Sequence, residues 1–74
     1  MLPLEGYIIE HTRIAGVPVM LATYKVGETF HCIVANEDRG ANVARSSGPT
    51  ASEALIGATS EARRRFIDTQ RARD

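Results

Sequence analysis

Three groups of side chains in this chain could do chemistry. The first is Arg45-Ser46-Ser47, which with Gly48 and Thr50 stands just ahead of an expected helix. Free N–H groups and the helix dipole at such a start attract phosphate or carboxylate. The second is the triplet Arg63-Arg64-Arg65, followed by Arg71 and Arg73, a basic segment that could contact nucleic-acid phosphates. The third is His11, His31 and Cys32, whose side-chain types can ligate a metal.

Each group also has a plainer reading. Thr50 and Glu53 have the spacing of a capping box, in which the Thr hydroxyl takes the N–H three residues on and the Glu reaches back. That box occupies the N–H groups an anion would need, so "SSGPTASEAL" reads mainly as a helix start. Consecutive helical residues point about 100° apart, so Arg63, Arg64 and Arg65 fan around the helix instead of forming a stripe. Late arginines also favourably meet the negative end of the helix dipole. No aromatics are interleaved with them to stack unpaired bases. His31 and Cys32 are neighbours on an expected strand and so face opposite ways. No pair among the three has the usual metal-ligand spacing, and no nucleophile–base–acid set stands out. The chain reads as a non-enzyme with no catalytic, metal or cofactor residues assigned.

The bulk properties narrow the class. Seventy-four residues make a single domain. Of 32 apolar residues ten are Ala, and the only aromatics are Tyr7, Tyr24, Phe30 and Phe66. So small a core supplies on the order of 3–5 kcal/mol, and domains of this size usually add disulfides, a metal or a partner subunit. Cys32 is the only cysteine, which leaves oligomerisation as the expected supplement. Nine basic and nine acidic residues cancel overall. Residues 63–74 nevertheless carry five Arg against Asp68 and Asp74, a net of +3, leaving −3 for residues 1–62. There is no basic leader segment, and the apolar runs are too short to span a membrane, so a reducing, cytoplasmic setting is expected.

The elements that must position these residues can be placed by pattern. Strands are expected within residues 5–47. "GYIIEHTRI" and "VPVMLATYKV" flank Ala15-Gly16, where Gly suits a tight hairpin. Gly27 opens a second turn before "ETFHCIVA", in which Phe30, Cys32 and Val34 share one face while His31 and Ile33 share the other. "NEDRG" is dense in turn formers, and "NVARSS" is a short fourth strand. Pro18 places the start of the second strand at an edge or a bulge. A helix is expected over about 50–68, with Ala51, Ala54, Leu55, Ala58, Ala62 and Phe66 on one face and a fraying tail at 69–74. The fold class is therefore α+β: an antiparallel meander of three or four strands with one C-terminal helix on one sheet face.

Gly48-Pro49-Thr50-Ala51-Ser52-Glu53-Ala54-Leu55, with Ala58 beyond it, resembles the helix start of HicB-type antitoxin domains. The close match covers residues 48–58 and extends loosely over 28–62. The resemblance implies a small dimeric domain that binds a partner protein. A looser likeness is to the double-stranded-RNA-binding domain, which also ends in strands and an alanine-rich helix. That family opens the helix with phosphate-gripping lysines; Ala51 and Ser52 stand there instead, so that mode of RNA binding does not carry over.

The resulting expectation is a small interaction module, homodimeric and non-enzymatic, with Ile33, Ile56 and Ile67 as candidate dimer contacts. One face of Val17-Val19-Leu21 is expected to be uncovered beside Ile33. The alternative is a nucleic-acid-binding domain that uses Arg45 and the arginine-rich helix end.

Overall fold

The computed structural model describes residues 5–38 and 40–72, with side chains over 8–38 and 40–69. Strands β1 (Glu5–Ile14), β2 (Val17–Val26), β3 (Thr29–Asn36) and β4 (Asn42–Gly48) form one antiparallel sheet in chain order. Helix α1 (Ala51–Ala72) follows. The α+β meander with a C-terminal helix is thus present, with the fourth strand included.

Turn chemistry sets the register. Ala15 and Gly16 both have positive φ, 51° and 80°, which is what a two-residue type I′ hairpin requires. Gly16 adopts this conformation freely, whereas the Ala15 methyl makes it sterically costly. Gly27-Glu28 closes the second hairpin on the pair Val26 and Thr29. The third connection is held by Asn36: its side-chain oxygen accepts the Asp38 N–H at 2.9 Å, and its carbonyl accepts the Gly40 N–H at 2.7 Å.

Pro18 is a correction to the sequence reading. It lies in β2, a central strand, opposite Arg13 of β1. In an antiparallel strand the N–H and C=O of one residue point to the same neighbour. The Pro18 carbonyl accepts the Glu37 N–H, so its missing donor also faces β3, one position beyond the last paired residue, Asn36. The ladder loses nothing there.

The helix covers one sheet face and packs chiefly on β4 and β3. Ala54, Ala58 and Ala62 are fully buried, with Leu55 and Phe66 packed at the margin. Beneath them lie Ile14, Val19, Leu21, Cys32, Val34 and Ala44. Val19 and Leu21 are therefore core residues under the helix, not an uncovered face; β2 turns Met20, Ala22 and Tyr24 to the other side. The closest approach is at Gly57, where a side-chain carbon would overlap Ser46 Oγ and stand 3.0 Å from Ser46 Cβ. Small residues let the helix lie this close, and no larger side chain fits at Gly57 without displacing it.

The helix runs past residue 68 to Ala72. No Gly or Pro follows Phe66 to stop it, and Thr69 Oγ1 folds back along the helix to donate to the Arg65 carbonyl at 2.9 Å. Residues 73–74 of the tail expected to fray lie outside the described residues.

Candidate functional site

The helix leaves the other sheet face uncovered. Residues directly opposite on antiparallel strands share a face, so the register writes this surface out in rows. One row is Ile9, Ala22, Ile33 and Arg45; the next is Tyr24, His31 and Ser47. Tyr24 and His31 stack across the strands, with ring centroids 5.3 Å apart and planes inclined by 19°. Together with Ile33, Arg45 and Ser47 they line a depression of about 380 Å³.

The first candidate group is thereby divided. Arg45 and Ser47 are on the uncovered face beside His31, while Ser46 alternates to the helix side and lies under Gly57. Arg45 also borders a second depression, about 350 Å³, along the β4 edge with Asn42, Val43, Glu61 and Arg65. Sequence reasoning missed Tyr24 and His31 as partners of Arg45. They lie 21 and 14 positions away in the chain, and only the cross-strand register brings them together.

At the helix start Thr50 Oγ1 accepts the Glu53 N–H at 3.1 Å, and the Thr50 carbonyl accepts the Ala54 N–H at 3.2 Å. The Glu53 carboxylate lies over Gly48. The N–H of Glu53 is thus taken by the cap, and a negative charge stands where an anion would approach, as a cap and not an anion cradle requires.

The arginine triplet is also divided. Arg64 Nη2 donates to Glu61 Oε2 at 2.7 Å and Arg65 Nε to Glu61 Oε1 at 3.2 Å. Arg65 Nη1 reaches on to the Val43 carbonyl. Arg63 points to the outer side of the helix, where it shares a shallow hollow with Ser60, Arg64, Ile67 and Asp68. Arg73 and the Arg71 side chain lie outside the described residues. Among the described residues, no three His, Cys, Asp or Glu side chains gather as metal ligands. His11 instead meets Glu37 through Nδ1, and His31 and Cys32 face opposite sides of the sheet.

The three isoleucines assigned to a dimer contact do not share a surface. Ile33 is half-buried on the uncovered sheet face, whereas Ile56 and Ile67 are exposed on the helix, at 63% and 38%. A different pair stands out on β1. Ile8 and Ile9 are 53% and 48% exposed and flank this edge strand, one on each face of the sheet.

The two edges of the sheet differ in how their backbone is treated. Ile14 and Val17 close a two-residue loop and form a hydrogen-bonded pair, so Thr12, Glu10 and Ile8 bond to β2 in alternation. Ile9, His11 and Arg13 then turn their N–H and C=O groups outward. On β4, the opposite edge, the register shifts at Val43 and the Arg65 guanidinium takes the carbonyl of that residue.

No family model matches the chain, and neither a curated protein nor a solved structure matches it.

Proposed function

We propose that this chain is a non-enzymatic interaction module that works as a homodimer, with β1 pairing antiparallel to β1 of a second copy. One observation carries the reading: β1 is a ten-residue edge strand whose outward backbone groups are flanked by Ile8 and Ile9, both about half exposed. Edge strands of this kind pair with other chains unless they are short, bulged, covered or charged. Over residues 8–14 the register is unbroken. A two-fold axis perpendicular to the sheet extends it to eight strands, with both helices on one side. The small alanine-rich core supports the same reading, because a domain this size gains stability from a partner subunit. Burial of roughly 1,200–2,000 Å² in total makes a stable interface of ordinary size. The resemblance at residues 48–58 adds a partner protein to the proposal, on the pattern of HicB-type antitoxins, in a reducing cytoplasmic setting where the buried Cys32 stays a thiol.

The test is the concentration dependence of thermal unfolding. A partner that binds only the folded chain adds stability by mass action, so the melting temperature rises with protein concentration. The double substitution Ile8→Lys/Ile9→Lys, at two exposed positions, removes that rise while leaving the helix signal in circular dichroism. A wild-type melt independent of concentration refutes the dimer.

A further inference from the structure

We infer that the Tyr24–His31 stack and Arg45 form a binding site for single-stranded nucleic acid on the uncovered sheet face. The inference is independent of the proposed dimer, because β1 pairing leaves this face open in both copies.

Unpaired bases are held by stacking on aromatic rings, and their phosphates by arginine and hydroxyl groups. This face supplies all three at adjacent positions. The paired rings of Tyr24 and His31 stand on β2 and β3, in cross-strand register. Ser47 lies opposite His31 on β4, and Arg45 lies opposite Ile33 in the neighbouring row. The depression these residues line, about 380 Å³, falls within the size range of small-ligand clefts. A base placed beside His31 extends the existing stack and brings its phosphate to Arg45 and Ser47.

The layout favours a strand over a free nucleotide. Arg45 borders both this depression and the one along the β4 edge, so a second phosphate has a route toward Arg65. Glu61, which also borders that second depression, is already paired with Arg65 there and with Arg64 outside it. Duplex is disfavoured, because its paired bases cannot enter the slot beside His31.

The experiment is a low-salt titration of the full chain with labelled ten-nucleotide RNA and DNA, a matching duplex, and adenosine 5′-monophosphate. Single strands are expected to bind, and at least one of Tyr24→Ala and His31→Ala is expected to weaken binding by about five- to 150-fold, the range of one lost stacked base. Tyr24→Phe keeps the ring and is expected to bind nearly as the wild type. Arg45→Gln is expected to lower the slope of log affinity against log salt by about 0.7, the value for one single-strand phosphate. Each variant is checked for the wild-type melting temperature, which separates a lost contact from a lost fold. Absence of binding at about 100 µM protein, the weak end of non-specific nucleic-acid affinity, overturns the inference. So does binding unchanged by all three substitutions at Tyr24, His31 and Arg45. Binding of the mononucleotide as tight as that of the strand overturns the strand and leaves a nucleotide pocket; preference for the duplex overturns the stacking mode.

Discussion

The two edges of the sheet are built to opposite rules. β4 is seven residues long, carries a register shift, and lies beneath a helix that touches it more than any other strand. Its irregular carbonyl, at Val43, is taken by Arg65. β1 is ten residues long, unbroken from Ile8 to Ile14, and barely touched by the helix. Natural sheets blunt their edges with bulges, short strands and covering elements because an open edge recruits other chains. Here one edge has all three devices, whereas the other, among the described residues, has only a register shift near its start, between Glu5 and Ile8. Over residues 8–14 of β1 the charged or titratable side chains are Glu10, His11 and Arg13, and of these His11 pairs with Glu37 of the same chain. The contrast indicates that the fold closes itself at β4 and remains open at β1.

The largest effect is expected from disturbing the closed side at its tightest point. Gly57→Val places a Cβ that bears two methyl groups where Ser46 already stands, so the helix must lift from β4. Overpacking of this kind costs about 1–3 kcal/mol, and chemical denaturation should show the loss. The exposed β4 edge should also make the variant aggregate more readily than the wild type.

The helix start comes next. Thr50→Ala removes the acceptor for the Glu53 N–H and should cost about 0.5–2 kcal/mol, whereas Thr50→Ser should be nearly neutral. Equal melts for the two variants would contradict the cap.

Uncapping the edge itself is a finer probe. Arg65→Met keeps much of the aliphatic stem but leaves the Val43 carbonyl to water, at an expected cost of about 0.5–1 kcal/mol, since the guanidinium is exposed. Amide exchange should quicken in β4 and stay unchanged in β1.

The smallest effect concerns the hairpin that fixes β1 to the sheet. Ala15 holds a positive φ, which Asn adopts at less cost, so Ala15→Asn should stabilise the fold by about 0.5–1 kcal/mol. The measured melting temperature should rise slightly, with the open edge unaffected.

What the sequence made legible follows from the range of each signal. Strand alternation and the capping box act within a few residues, so the faces of β3 and the N-cap at Thr50 could be read directly. The helix stripe of Ala54, Ala58 and Ala62 was legible for the same reason. Three features depend on contacts between distant segments. Gly57 looks like a helix weakness until Ser46 is placed beneath it. Arg65 looks like part of a basic cluster until Glu61 and Val43 are seen to hold it. Val19 and Leu21 follow the face opposite Met20, and only the pairing with β3 shows which face the helix takes. The open edge was illegible for a related reason: strand order, not strand composition, decides that β1 has one neighbour. Ile33, Ile56 and Ile67 were apolar residues left over from a one-dimensional pattern, whereas Ile8 and Ile9 gain significance only from their place at the sheet margin.

Sedimentation equilibrium on the wild type and on Ile8→Lys/Ile9→Lys, at matched high concentration, tests the open edge most directly. We predict that the wild type sediments at twice the 8.1 kDa chain mass and that the double variant sediments at the chain mass with its helix content intact. A wild type that stays at 8.1 kDa, or a variant that dimerises as the wild type does, would contradict the reading of β1 as the interface.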